Sequence, residues 1–102
     1  MVVEYIRYHI EDEKRAEDFV AAYIEATKSL RESPHCLAYE LSRCTEARAD
    51  WTLRIEWDSA EGHMQGFRKG PQFPPFLKEI RPFVPDIQEM RHYEVHALTW
   101  RR

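Results

Sequence analysis

The succession of two hydrophobic periods constrains the fold of this chain more than any other feature. Residues 2–10 alternate with the period of two that is typical of a β-strand. The next stretch repeats apolar residues at intervals of three and four, which predicts an amphipathic helix that ends before Pro34, because a residue preceding proline avoids helical geometry. The apolar stripe of this helix consists of Ala16, Phe19, Val20, Tyr23, Ile24, Thr27 and Leu30.

The middle of the chain returns to the strand period and then to the helix period. Residues 35–44 and 51–57 alternate on either side of a polar turn, which predicts a β-hairpin. Asp58 and Glu61 have the spacing of a capping box, so we expect a short helix to follow. Pro71 suits the first position of a second helical piece, because its missing N–H has no partner there in any case.

A final strand is predicted over residues 87–95, after two proline breaks. The order is therefore strand, helix, strand, strand, broken helix, strand. This order predicts an α+β protein of ferredoxin-like βαββαβ topology, with a four-stranded antiparallel sheet covered by helices on one face. The length predicts a single domain over residues 1–102, with a core of residues 2–95 and a C-terminal tail of 96–102.

Charge and residue spacing argue against several classes of function. The formal net charge of −3 gives no basic surface for nucleic acid. No apolar window approaches the length of a membrane span, so we expect a cytoplasmic protein with no membrane partner. Cys36 and Cys44 would lie about 26 Å apart along one strand, too far for a disulfide. His92 and His96 would lie about 13 Å apart, and no metal site is predicted.

The uncovered face of the sheet predicts a homodimer. Aromatic residues make up 13% of the chain, which is more bulk than one small core readily absorbs. The face opposite the helices would expose a mainly apolar patch, and patches of this kind usually mark an interface. We expect two sheets to pack face to face through Val3, Tyr5, Cys36, Ala38 and Thr52.

The helix-facing side of the sheet predicts a pocket for a small aromatic ligand. Aromatic side chains would surround one histidine there, and such a ring offers apolar walls together with one group that titrates near neutral pH. Core packing explains the same residues without a ligand, and a dimeric scaffold without a pocket stays an alternative. The candidate lining consists of Tyr8, Tyr39, Trp57, His63, Phe67, Phe73 and Phe76.

Two stretches of sequence resemble the antibiotic biosynthesis monooxygenase superfamily. Glu56-Trp57-Asp58-Ser59-Ala60-Glu61 is similar to the segment that follows the third strand in that family, and Cys36-Leu37-Ala38-Tyr39-Glu40-Leu41 is similar to its second strand. The resemblance implies a dimeric α/β barrel and a monooxygenase that acts on a quinol-like or anthrone-like aromatic. It also implies that molecular oxygen is the co-substrate and that no metal or flavin is required.

Under this resemblance we assign catalytic roles to two residues. His63 is the expected base for a phenol proton, and Tyr39, or alternatively Tyr8, would hydrogen-bond the resulting anion. Ile6, Gly66 and Leu77 stand where the haem-degrading members carry functional residues, which disfavours haem degradation. A non-catalytic module that binds haem or another planar ligand is the alternative function.

Overall fold

A computed structural model describes residues 1–102. The eight elements follow the expected order, with the second helical region divided into three short pieces. They are β1 (Val2–His9), α1 (Glu13–Glu32), β2 (Cys36–Arg43), β3 (Asp50–Trp57), a π-helix (Gly62–Phe67), α2 (Phe73–Ile80), a 3-10 helix (Arg81–Asp86) and β4 (Ile87–Glu94).

The four strands form one antiparallel sheet in the order β2-β3-β1-β4, which confirms the ferredoxin-like fold. Strands β1 and β3 occupy the centre, and the helices cover one face. The register places Glu4 of β1 opposite Ile55 of β3 on one side and opposite His92 of β4 on the other. Side chains that share a face of neighbouring strands are thereby brought together beneath the helices.

Helix α1 ends before Pro34, as the sequence predicts. Asp12 caps its first turn. Its Oδ1 atom accepts hydrogen bonds from the backbone N–H groups of Lys14 and Arg15. The inward residues of the helix include Phe19 and Leu30, both fully buried. Ile24 was expected in the apolar stripe but is 60% exposed, so the buried face is narrower than the periodicity suggested.

Strand β2 contains a bulge that the alternation pattern did not reveal. The register of its pairing with β3 shifts between Cys36 and Ala38. Cys36 consequently packs against the core, whereas Leu37 is 55% exposed. The expectation that Cys36 lies on the uncovered face was wrong, because one extra residue in the strand reverses the face of every residue before it.

The π-helix is capped differently from the expectation. The hydroxyl of Ser59 accepts a hydrogen bond from the N–H of Gly62 at 2.9 Å, whereas the carboxylate of Asp58 pairs with Nδ1 of His35 at 2.9 Å. The capping-box assignment was therefore wrong. The His35 ring lies so close to the π-helix that a Cβ atom added to Gly66 would stand 2.4 Å from it, which explains the small residue there.

Strand β4 also carries an irregularity. Ile87 pairs with Tyr8 and Met90 pairs with Ile6, with a register shift between them. Both residues therefore face the helices although three positions separate them, which accounts for the broken alternation of this segment. No helix of the structure has the length and apolar character required to cross a membrane.

Candidate functional site

A cavity of about 150 Å³ lies between the helix-facing side of the sheet and the second helical region. Strands β1, β3 and β4 form its floor, and the π-helix, α2 and the 3-10 helix form its walls. Val84 and Met90 line it and are 41% and 46% exposed, so they mark its opening to solvent. The lining is mostly apolar, and its polar groups are Glu4, His63 and Arg68 together with the hydroxyl of Tyr8.

Six of the seven residues predicted to surround a pocket line this cavity. Five are aromatic, and four of their rings contact one another from the sheet to α2: Phe67 packs against Trp57, Phe73 and Phe76 with ring centroids 5.1–5.7 Å apart. The six are Tyr8, Trp57, His63, Phe67, Phe73 and Phe76.

Tyr39 is the candidate that the structure does not bring to the cavity. Its strand, β2, is the edge of the sheet on the far side of β3. The side chain packs against the core there, and its hydroxyl accepts a hydrogen bond from Arg31 of α1 at 2.7 Å. A hydrogen bond from Tyr39 to an anion in this cavity is therefore not available.

Glu4 is a functional candidate that the sequence reasoning missed. Its side chain points to the cavity from β1, only 2% of the residue is exposed, and Oε1 accepts a hydrogen bond from the indole N–H of Trp57 at 3.1 Å. Burial raises the pKa of Glu4 to about 7, against the smaller opposing effects of the Trp57 hydrogen bond and the Arg68 charge. The sequence could have indicated Glu4, because it is the one acid on the otherwise apolar inward face of β1. A polar residue at a buried position often has a functional role.

His63 is positioned by the π-helix, a geometry often found at functional sites. Its ring stacks on Trp57 with the centroids 4.3 Å apart and the planes at 13°, and it is 3% exposed. Burial lowers the pKa of His63 to about 4, with further lowering from His92 and Arg68. At neutral pH the imidazole is uncharged, so each ring nitrogen is either a donor or an acceptor.

The two nitrogens of His63 face two different groups. Nε2 lies 3.6 Å from Oε1 of Glu4, and Nδ1 lies 2.6 Å from Nε2 of His92. His92 is exposed on β4, and it does not line the cavity. Glu4, His63 and His92 place donor atoms within 4.8 Å of one another, so this is the group with which a cation would interact. This grouping was not foreseen from the sequence, where the spacing of His92 and His96 predicted no metal site.

Tyr8 lines the cavity but is a poor candidate for a base. Its hydroxyl forms a buried hydrogen bond with that of Tyr23 on α1. Burial raises the pKa of Tyr8 to about 12, so the phenol stays protonated at neutral pH. Its chemical contribution is limited to an apolar ring and a neutral hydroxyl.

Arg68 is the cationic group of the cavity, and it was also missed. It follows the π-helix, and its guanidinium lies over the ring of Phe73 at 5.1 Å from the centroid. Arg54 lies on the opposite face of the sheet, where it pairs with Glu56 at 2.7 Å. The cavity therefore contains one positive group beside a carboxyl and a neutral imidazole.

Comparison with known proteins identifies the family. The family model described as antibiotic biosynthesis monooxygenase matches residues 1–79. The chain belongs to this family. It is 24% identical to the uncharacterized protein YczJ of Bacillus subtilis (strain 168) over 94 residues, covering 92% of this chain and 98% of the relative.

Solved structures agree with the fold. A Bordetella bronchiseptica protein with a provisional assignment as an antibiotic biosynthesis monooxygenase superposes with a TM-score of 0.73 at 21% identity, covering 93% of this chain and 96% of that chain. A Deinococcus radiodurans protein with the same provisional assignment gives 0.71 at 15% identity, covering 100% and 99%. At 21% and 15% identity, these structural similarities show a shared fold and do not by themselves assign an activity.

Proposed function

We propose that this protein is a monooxygenase that oxidises a one-ring phenol or quinol with molecular oxygen, using neither metal nor flavin. The observation that carries the proposal is an apolar cavity whose polar end holds a buried carboxyl with a pKa of about 7. A general base is most effective when its pKa lies near the working pH. The reaction class, monooxygenation, is taken from the family to which the chain belongs.

Glu4 takes the role that the sequence argument gave to His63. A phenol lying against the aromatic walls presents its hydroxyl to Glu4, which accepts the proton. His63 is the weaker base, because its pKa of about 4 makes its protonated form unfavourable at neutral pH. Arg68 stabilises the phenolate and the peroxide that follows, since a positive group in an apolar site acts strongly on developing negative charge.

The reaction balances without a further reductant. The phenolate transfers electron density to O₂, and a C–O bond forms at an unsubstituted ring carbon, para to the hydroxyl in a phenol and ortho to it in a quinol, giving a peroxide. The O–O bond then breaks: one oxygen stays as the new carbonyl, and the other leaves as water with the hydrogen of that carbon and the returned phenol proton. Phenol and O₂ thus give a quinone and water, and the substrate supplies all four electrons.

The cavity volume selects the size of the substrate. An apolar cavity of about 150 Å³ holds a molecule such as benzene. One ring therefore fits, whereas a three-ring anthrone requires displacement of the side chains at the opening, Val84 and Met90. A tetrapyrrole is larger still, so the geometry does not favour the alternative of a haem-binding module.

Oxygen uptake tests the proposal. Purified protein, treated with a chelator, is given one-ring phenols and quinols, a naphthol and an anthrone, and ¹⁸O₂ labelling follows the oxygen into the product. We expect turnover of one-ring substrates with one labelled oxygen in the quinone, and a loss of at least about 100-fold in kcat for Glu4→Gln. The control is Glu89→Gln, which alters an acid of β4 that faces away from the cavity and pairs with Arg7.

Two results would contradict the proposal. One is an absence of enzyme-dependent oxygen uptake with every one-ring substrate, combined with binding of the same compounds, which would favour a non-catalytic ligand-binding role. The other is a Glu4→Gln variant as active as the control. If His63→Gln abolishes turnover while Glu4→Gln does not, the base is His63.

We also propose that the protein is a homodimer that pairs through the uncovered face of the sheet. On that face Tyr93 is 47% exposed and packs edge-on against Tyr5, and Val95 beyond it is 41% exposed. Sedimentation equilibrium should give twice the mass of the chain, and Tyr93→Glu should give monomers. The matched control is Ile24→Glu, which alters an exposed apolar residue of α1. A monomeric wild type at micromolar concentration would contradict this proposal.

A further inference from the structure

Glu4, His63 and His92 form a row that leads from the cavity to the surface. Glu4 and His63 are 2% and 3% exposed, and both line the cavity. His92 is exposed on the edge strand β4. Glu4 and His92 are cross-strand partners, and His63 is inserted above them from the π-helix. The buried carboxyl of Glu4 is thus connected to the exposed His92 through the imidazole of His63.

The contacts of this row are those of a hydrogen-bonded chain. Nδ1 of His63 is 2.6 Å from Nε2 of His92, which is a hydrogen bond. Nε2 of His63 is 3.6 Å from Oε1 of Glu4, and a shift of about 0.5 Å closes this gap to hydrogen-bond length. Such contacts commonly tighten when substrate occupies a site.

The same contacts argue against one metal ion bound by all three groups. A cation takes one nitrogen from each histidine, so Glu4 and His92 would have to approach the same nitrogen of His63. They approach opposite nitrogens instead. Stacking on Trp57 fixes the plane of the His63 ring, which keeps the two nitrogens directed at their separate partners.

We propose that Glu4, His63 and His92 are a proton relay between the cavity and solvent, with His92 as its outer terminus. For its part in turnover this inference rests on the proposed function, since the relay removes the phenol proton and returns it to the peroxide. Its structural content, a coupled change of protonation along three side chains, stands on the geometry alone.

The relay works by a change of tautomer. With Glu4 ionised, Nε2–H of His63 donates to the carboxylate and Nδ1 accepts from His92. When Glu4 is protonated, it donates to the free Nε2 of His63, and Nδ1–H of His63 donates to Nε2 of His92. Transfer of the Glu4 proton to Nε2, of the Nδ1 proton to Nε2 of His92, and of the outer Nδ1 proton of His92 to solvent gives back the first state. One proton thus leaves Glu4 and one leaves the surface, and a proton is taken up by the same steps in reverse.

The surroundings of the relay contain one fixed charge. Arg68, beyond the π-helix, acts on Glu4, His63 and His92, and it favours the ionised carboxylate and the neutral imidazoles. From β3, Trp57 donates to Oε1 of Glu4. On the α1 side, the nearby hydroxyls are those of Tyr8 and Tyr23, which stay protonated because burial raises their pKa values.

Histidine ¹⁵N NMR tests the relay without any substrate. We expect His63 to carry its proton on Nε2 at pH 8.5 and on Nδ1 at pH 6, with the change following the titration of Glu4 near pH 7. In Glu4→Gln one tautomer should persist throughout this range. His96, exposed in the C-terminal tail, is the internal control and should not respond to the Glu4 substitution. One unchanging tautomer of His63 in the wild type would overturn the relay.

Kinetics test its use in turnover. His92→Ala should lower kcat about tenfold with KM unchanged and increase the solvent deuterium isotope effect, and added imidazole should restore the rate. His96→Ala is the matched control and should behave as the wild type. A rate that falls in His92→Ala but is not restored by imidazole would contradict the use of the relay.

The two experiments separate the possible failures. If no phenol is oxidised but the tautomer of His63 changes with Glu4, the proposed function fails and the relay stands as a proton path. Titration with Zn²⁺ is the third arm. Stoichiometric Zn²⁺ binding that is lost in both Glu4→Gln and His92→Ala would assign the three groups to a metal site and overturn the relay.

Discussion

The inner face of the sheet is covered in two different ways, although both coverings are rich in aromatic residues. Beneath α1, Phe19 is fully buried and its ring lies within 5.4 Å of those of Tyr8, Tyr23, Trp51 and Phe83. Beneath the π-helix and α2, the aromatic rings surround a cavity instead of filling it. We call these regions the packed half and the open half.

The cause of the difference is the regularity of the helices. Helix α1 is one α-helix of 20 residues, so large side chains recur on the same face at every turn. The open half is covered by a six-residue π-helix and an eight-residue α-helix, which meet around glycine and proline. Side chains from these separate short pieces line the cavity. Similar composition therefore produces a stabilising core in one half and a ligand site in the other.

The largest expected effect belongs to the packed half. Phe19→Ala should lower the free energy of unfolding by about 3–5 kcal/mol, because a fully buried ring in contact with four others leaves a cavity that its neighbours cannot fill. Urea denaturation followed by tryptophan fluorescence measures the loss. Ile24→Ala on the same helix, at a 60% exposed position, should change stability by less than about 1 kcal/mol. Equal losses in the two variants would contradict the contrast between the halves.

The next effect belongs to the polar end of the open half and depends on pH. The folded pKa of Glu4, about 7, exceeds the unfolded value of 4.5, so folded protein binds more protons and stability falls as pH rises from 4.5 to 7, by about 3 kcal/mol. His63 has the opposite sign: its folded pKa, about 4, lies below 6.5, so stability falls as pH drops from 6.5 to 4 by a similar amount.

Single variants should separate these opposing contributions. Relative to wild type, Glu4→Gln should become more stable as pH rises through 4.5–7, whereas His63→Gln should become more stable as pH falls through 6.5–4. Urea denaturation at four pH values between 4.5 and 7.5 measures both slopes. Glu89→Gln, outside the cavity, is the control. A Glu4→Gln variant whose stability follows the wild type at every pH would show that this carboxyl has an ordinary pKa.

A smaller effect is expected at the boundary between the halves, where Tyr8 and Tyr23 share a buried hydrogen bond. Tyr8→Phe and Tyr23→Phe should each cost about 1–2 kcal/mol, because each leaves one buried hydroxyl without its partner. The double variant should cost no more than either single one, since both hydroxyls are then absent. A double-mutant cycle by urea denaturation measures the coupling, and strictly additive costs would argue against the pair.

The packed half and the element order could be predicted from local patterns. The period of α1, the hairpin and the final strand each depend on neighbouring residues, so the alternation of Trp51 to Trp57 and the spacing of Phe19 and Tyr23 were sufficient. The aromatic walls followed as well, because the alternation of the strands and the helical spacing of His63 and Phe67 indicate the faces that point inward.

The polar end of the cavity depends on pairing that no local pattern specifies. His92 reaches His63 only because β4 pairs with β1 in a register that places it opposite Glu4. Tyr39 was misplaced because it faces the helices from the edge strand β2, two strands away from Glu4. Cys36 was placed on the wrong face because of the bulge in β2. A single extra residue leaves no recognisable pattern in an alternating sequence of this length.

The smallest expected effect concerns the outer side of the π-helix, away from the cavity. Gly66→Ala places a Cβ atom 2.4 Å from the His35 ring, which must move and give up its exposed pairing with Asp58. The loss of that exposed pairing and the movement of the ring oppose the gain of about 1 kcal/mol that alanine has over glycine in a helix. The substitution should therefore be nearly neutral in the wild type, but in a His35→Ala background it should stabilise by about 0.5–1 kcal/mol. Equal effects of Gly66→Ala in both backgrounds, measured by urea denaturation, would show that His35 does not restrict this position.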